Sequence, residues 1–270
     1  MTATTLSAAA PVAVRAERPT PRPIPMSRIA AVELRKSLDT RSGFWLMASI
    51  GILAVVATGA TILFAPDDAL TYDTFAAAIG IPMVVILPVI AILSVTSEWS
   101  QRTGLTSFTL VPHRGRVLTA KLLVMLAVGV VSMLLAGAIG ALGNVVGTAI
   151  TGTETVWDVS VAHFTYIVVG SVVGMLIGFM LGMLLRNSAG ALVGYFVYNF
   201  VLPPLTILLA VNQEWFEKAQ PWVDFNFTQG YLFNGDMGGE HWAQLGVTGL
   251  FWLAIPMAFG LWRLLRSEVK

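Results

Sequence analysis

The sequence predicts an all-α polytopic membrane protein with six transmembrane helices and cytoplasmic N and C termini. Of its 270 residues, 56% are hydrophobic and only 11% are charged, whereas about 25% of the residues of a soluble protein are charged. Apolar stretches of about 20 residues, the length of helix that crosses the hydrocarbon core, recur along the chain. Lys and Arg concentrate in alternate connections between these stretches, and this distribution sets their direction.

The segment before the first apolar stretch divides into two parts. Residues 1–26 are rich in Ala, Pro and Thr and lack the apolar core of a signal peptide, so we expect a disordered cytoplasmic tail. Residues 27–43 are expected to form an amphipathic interfacial helix. Its apolar face and the adjacent basic positions contain Leu34, Leu38, Arg28, Arg35 and Lys36. The alternative interpretation is a basic flank that only orients the first span.

Residues 44–270 are expected to form the six-helix transmembrane domain. The apolar stretches cover approximately 44–65, 74–97, 119–149, 160–185, 190–211 and 243–264. The third stretch is longer than the bilayer is thick, so we expect it to tilt or to project beyond the membrane.

The charged residues predict which ends of the spans are cytoplasmic. Lys and Arg are retained on the cytoplasmic side of short loops. The tail, the second connection, Arg186 and the C-terminal basic residues all fall on one side, and only Lys218 lies opposite. Both termini are therefore predicted to be cytoplasmic.

The second connection is much longer than a turn between two spans requires. Residues 98–118 are therefore expected to protrude into the cytoplasm, with a short helix that ends before Pro112.

This segment resembles the corresponding segment of the membrane subunits of type-2 ABC (ATP-binding-cassette) transporters, which are mostly exporters. The resemblance covers about residues 27–270. It rests on this motif, the six-span topology and the N-terminal amphipathic helix together. The motif positions are occupied by Glu98, Gly104, Thr109, Pro112, Arg114 or Arg116, and Lys121.

The resemblance implies that residues 98–118 dock on a separate ATPase subunit. The implied coupling residues are Glu98, Arg102, Gly104, Thr109, Pro112, His113, Arg114 and Arg116. No G-x-x-x-x-G-K-[ST] loop occurs in the chain, so ATP and Mg are expected in the partner and no cofactor in this chain.

The fourth span carries four glycines at intervals of four residues, which places them on one helical face. They are Gly170, Gly174, Gly178 and Gly182. Small residues at this spacing allow helix backbones to approach closely. Packing within one subunit and a seam between two copies are both consistent with the pattern.

Prolines and polar side chains interrupt the second and fifth spans. A proline frees a backbone carbonyl that a neighbour or water must satisfy. The resemblance implies that these two spans line the transport pathway, which gives as pathway residues Pro82, Pro88, Tyr195, Tyr198 and Asn199. For Asn199, an interhelical hydrogen bond is the alternative.

Residues 212–242 form the last outer loop and hold seven aromatic residues between Trp215 and Phe233. We expect short helices that dip into the outer leaflet, with their rings at the level of the head groups. An ordinary packed loop is the alternative.

The sequence favours the transmembrane subunit of an ABC transporter that exports a hydrophobic or amphiphilic substrate. We expect as partners a cytoplasmic ABC ATPase, a second permease copy in a homodimer and membrane lipid, but no nucleic acid. The expected location is the bacterial plasma membrane. The alternatives are an ion-coupled carrier or a non-transport intramembrane protein or enzyme. The chain has no cysteine, and we expect no catalytic residue, no metal site and no charged side chain buried within a span.

Overall fold

The computed structural model describes residues 24–39, 41–100 and 114–266, and the predicted fold class is confirmed. Six helices are long and apolar enough to cross a membrane. They are α2 (Arg41–Phe64), α3 (Tyr72–Ser100), α4 (Arg114–Thr151), α5 (Val161–Leu185), α6 (Ser188–Asn212) and α9 (Gly239–Arg266). Among the described residues, three shorter α-helices are α1 (Met26–Asp39), α7 (Glu214–Val223) and α8 (Phe225–Asn234), and a single 3-10 turn spans Asp67–Ala69.

Successive spans run antiparallel, which separates the charges into two ends of the bundle. We call one the basic end, which carries Arg28, Arg41, Arg116, Arg186, Arg263 and Arg266. The other is the acidic end, which carries Asp67, Asp73, Glu154, Asp158, Glu214, Asp236 and Glu240.

Side-chain caps fix where three of the helices begin. Ser160, Asn187 and Asp224 each accept a hydrogen bond from the backbone N–H three residues later, at 3.1, 2.8 and 3.1 Å. Such caps satisfy a backbone donor that the first helical turn leaves without a partner.

At the acidic end, the connection between α4 and α5 is held against the start of α3. Val156 O accepts hydrogen bonds from Tyr72 N at 3.1 Å and from Asn144 Nδ2 at 2.9 Å. Asn144 is fully buried within α4. This polar residue was not predicted from the sequence, and its amide anchors a neighbouring connection.

Helix α1 packs on α2 and α4, but with a different face from the one that the sequence suggested. Ile29 and Glu33 are buried, whereas Leu34 and Leu38 are each 43% exposed. The apolar pattern identified an apolar face but not the face that docks on the bundle. A location at a membrane surface stays a prediction.

The aromatic residues between Trp215 and Phe233 lie on α7 and α8, and these two helices pack on the bundle. The hydroxyls of Thr228 and Thr248, both fully buried, hydrogen-bond at 2.8 Å and tie α8 to α9. His163 of α5 hydrogen-bonds through Nε2 to Phe233 O at 2.8 Å. Trp215 on α7 remains 64% exposed. Insertion of these helices into a leaflet stays a prediction.

The four glycines of α5 face other helices of the same chain. A Cβ at Gly178 would lie 2.6 Å from Pro88 O, and one at Gly182 would lie 3.3 Å from Ile92 O, so both contact α3. Gly170 and Gly174 contact Phe233 and Gln229 of α8 respectively. Helices α3 and α8 of the same chain thus pack against this glycine face. This arrangement is the packing within one subunit that was one of the two alternatives for the glycine pattern.

Replacement of Gly178 by Ala should destabilise the bundle by about 1–3 kcal/mol, because the added methyl group meets the backbone of Pro88, which cannot move without shifting α3. The matched control is Gly51→Ala in α2, where a Cβ meets nothing within 4 Å. Thermal unfolding of the detergent-solubilised protein would compare the two. Equal stability of both variants would show that α3 and α5 do not pack this closely.

Candidate functional site

A polar cavity of about 270 Å³ lies among α3, α5, α6 and α8. Three predicted pathway residues, Pro88, Tyr195 and Asn199, line it together. Its other lining residues are Val84, Ser171, Gly174, Pro203, Asn226, Gln229, Gly230 and Phe233. The cavity therefore combines five polar side chains with apolar walls, and none of its lining residues is charged.

The wall contributed by α3 depends on a proline and a tyrosine. Pro88 has no backbone N–H and so cannot donate to the carbonyl of Val84, four residues earlier. The hydroxyl of Tyr195 donates a hydrogen bond to that oxygen at 2.6 Å. Tyr195 is buried, and its hydroxyl replaces the hydrogen bond that α3 has lost.

The wall contributed by α6 contains a turn of π-helix at Val197–Val201, in which Leu202 N donates to Val197 O. Two consecutive prolines, Pro203 and Pro204, stand four and five residues after Asn199. They therefore remove both the α-helical and the π-helical donors to the Asn199 carbonyl. Asn199 lies within this turn and is one of the residues by which α6 lines the cavity.

Three further polar residues of the cavity were not predicted. Ser171 Oγ donates to Ile167 O at 2.9 Å, and Gln229 Nε2 donates to Gly170 O at 2.8 Å. Asn226 completes the set from α8. The sequence contains a signal for the two polar residues of α8, Asn226 and Gln229. Together with Gly230 and Phe233 they recur at a spacing that places them on one face of a helix.

The remaining predicted pathway residues do not line the polar cavity. Tyr198 borders a second, apolar cavity of about 290 Å³ among α5, α6 and α9. There its ring lies 6.0 Å from that of Trp252, which belongs to a second turn of π-helix, Leu250–Ala254. Pro82 is among the lining residues of neither cavity.

A buried ion pair joins α1 to α4 at the basic end. Lys121 Nζ lies 2.6 Å from Glu33 Oε2, and their side chains are only 5% and 4% exposed. The expectation of no buried charge within a span was wrong. Helix α4 begins at Arg114, so Lys121 lies two turns inside it, where the carboxylate of α1 neutralises it.

The two lysines beside Glu33 determine its charge. Burial by itself would raise the pKa of this carboxyl group. Lys121 and Lys36 both donate hydrogen bonds to it, at 2.6 and 2.7 Å, and together hold its pKa below the usual value. Glu33 is therefore ionised at neutral pH.

Most of the predicted coupling residues lie outside the described residues: Arg102, Gly104, Thr109, Pro112 and His113. Glu98 belongs to the last turn of α3 and Arg114 to the first turn of α4. Arg116 Nη2 donates to Ile24 O at 2.6 Å and so ties the segment before α1 to α4. Arg116 consequently makes a contact within the chain in addition to any with a partner.

Tyr195→Phe should lower the stability of the bundle by about 1–3 kcal/mol, because the carbonyl of Val84 then remains buried without a donor. Tyr166→Phe removes a hydroxyl that makes no hydrogen bond within the described residues and serves as the control. Thermal unfolding in detergent measures both. Equal midpoints for the two variants would contradict the assigned role of Tyr195.

Glu33→Gln and Lys121→Met should each cost about 3–5 kcal/mol, because either change breaks the ion pair while the other charge stays buried. Lys36→Met, at a side chain that is 46% exposed, should cost at most about 1 kcal/mol. Unfolding in mixed micelles with sodium dodecyl sulfate would measure these differences. The double variant Glu33→Leu/Lys121→Met should recover much of the loss, and a strictly additive loss would contradict the pairing.

The same pair predicts a pH dependence. The pKa of Glu33 is lower in the folded protein than the ordinary value of 4.5. The stabilisation is therefore complete above about pH 4.5 and is lost as the pH falls through the folded-state pKa. Lys121→Met should abolish this acid-induced loss.

The chain is thus a multi-pass helical membrane protein with a charge-free polar cavity and an ion-paired surface helix. No protein-family model and no curated protein matches it. The geometry of these two features therefore carries the functional argument.

Proposed function

We propose that this chain is the membrane subunit of a type-2 ATP-binding-cassette transporter. It would act as a homodimer that exports a hydrophobic or amphiphilic substrate, with energy from a separate ATPase that binds ATP and Mg. The observation that carries the proposal is the buried pair between Glu33 and Lys121. This pair connects the helix before the first span to the start of the third.

The pair supports coupling because of where its two members lie. Lys121 follows residues 98–118, the segment that we propose docks on the ATPase. The contact from Arg116 to Ile24 adds a second tie between the same two parts of the chain. Movement of the docking segment would therefore displace α1 and α4 together, since breaking a buried pair costs about 3–5 kcal/mol.

The polar cavity supports a transport pathway. Two of its walls come from α3 and α6, where Pro88 and Pro203 free backbone carbonyls. Only 11% of the apolar window of α6 is buried within the chain, against 50% of that of α5. Helix α6 consequently offers a broad surface to lipid or to a second copy.

An ion-coupled carrier is the second candidate, because Lys121 is a buried charged residue within a span. Its partner Glu33 lies on α1, however, and neither residue lines the polar cavity. An intramembrane enzyme would need a nucleophile and a base, and Ser171 and His163 of α5 have those residue types. Both hydrogen-bond to the backbone instead, since Ser171 Oγ donates to Ile167 O and His163 Nε2 contacts Phe233 O.

The proposal predicts that the tagged chain, purified in mild detergent from membranes of its host, carries Mg-dependent ATP hydrolysis. Reversing two charges of the docking segment, with Arg102→Glu and Arg114→Glu, should reduce that activity at least about tenfold through repulsion at the contact. Yield and unfolding temperature should not change.

Lys218→Glu provides the matched control, because Lys218 lies on α7 at the acidic end and is exposed. It should retain the full ATPase activity. Absence of ATP hydrolysis from the wild-type preparation, or equal activity in the charge-reversed and control variants, would overturn the proposal.

A further inference from the structure

We propose that the polar cavity binds the uncharged head group of an amphiphile through several hydroxyl or amide N–H donors on that head group. The proposal rests on the transport function proposed above and specifies the substrate class of the same site. It follows from the charge, the hydrogen-bonding state and the size of the cavity.

The first argument is the absence of charge among the residues that line the cavity. A charged head group would lose its hydration there without gaining an opposite charge, and this loss is far more costly than that of a neutral polar group. Neutral amides such as Asn199 and Asn226 can replace the hydration of an uncharged group. The lining therefore selects against both anions and cations.

The second argument is that two of the hydroxyl groups that line the cavity have oxygens that can serve only as acceptors. The hydroxyl protons of Tyr195 and Ser171 are already donated to backbone carbonyls, at 2.6 and 2.9 Å, so their oxygens can only accept. Gln229 uses one of its two Nε2 protons on Gly170 O. Asn199, another lining residue, has a backbone carbonyl whose α-helical and π-helical donor positions are occupied by prolines. A ligand that matches these groups must bring donors of its own.

The third argument is size. A cavity of about 270 Å³ is slightly smaller than the pockets of about 300–1,000 Å³ that hold drug-sized ligands. It therefore suits a head group and not a whole amphiphile. The apolar cavity of about 290 Å³ adjoins the same turn of α6, because Tyr198 and Leu202 immediately precede Asn199 and Pro203.

Three probes with the same dodecyl chain and a terminal dansyl group would test this selectivity: a glucoside, a sulfate and a trimethylammonium. The chain alone is reconstituted in phosphatidylcholine nanodiscs, and energy transfer from tryptophan to dansyl measures binding. The glucoside should bind saturably and at least about tenfold more tightly than either charged probe.

Two variants of one residue assign the binding to this cavity. Asn199→Leu should weaken glucoside binding by about three- to tenfold, the value of one hydrogen bond. Asn212→Leu makes the same change on α6 outside the cavity and should bind as wild type does. Asn199→Asp should shift the preference towards the trimethylammonium probe, which a merely misfolded protein would not do.

Equal affinities of the three probes, or equal effects of Asn199→Leu and Asn212→Leu, would overturn the assigned substrate class. This experiment contains no ATPase, so its result is independent of the proposed coupling. Selective glucoside binding without co-purified ATP hydrolysis would contradict only the transport function. Co-purified hydrolysis without probe selectivity would contradict only the head-group site.

Discussion

The requirement that every backbone carbonyl be satisfied in hydrocarbon shapes the centre of this protein. Neither a lipid tail nor an apolar side chain can donate a hydrogen bond. Each backbone carbonyl that a proline frees within a span therefore needs a donor from another group. Pro88 leaves the carbonyl of Val84 free, and the hydroxyl of Tyr195 donates a hydrogen bond to it. Pro203 and Pro204 remove the donors of Asn199 and accompany a turn of π-helix. The polar cavity lies where these two interruptions meet.

Close packing of α5 brings these groups together. Gly178 allows the backbone of α3 to approach at Pro88, and Gly170 and Gly174 accept side chains of α8 on the same helical face. The glycine face therefore sets the separation between the walls of the cavity and positions Gln229 to donate to Gly170 O. The close approach of helices that these glycines allow thus determines where the polar side chains of neighbouring helices can meet.

At the basic end, electrostatics replaces packing as the organising interaction. The Glu33–Lys121 pair is costly to bury, but removal of either charge breaks the pair while the other charge stays buried. The pair fixes the register of α1 on α4 and decides which face of α1 docks. Val32, Leu34 and Leu38 are left exposed as an apolar surface beside the bundle, available to lipid or to a partner.

The sequence by itself determined the six spans, the separation of charge between the two ends, the shared face of the glycines and the positions of the freed carbonyls. These properties follow from local composition, helical spacing and the covalent structure of proline. The tertiary structure alone decided that Ser171 and Gln229 join Tyr195 and Asn199, and that Glu33 meets Lys121, 88 positions away. Spans that are apolar on nearly all sides do not reveal through hydropathy which faces will meet. The meeting of distant polar groups is settled by close packing and by pairing of charges, because only these distinguish one apolar face from another.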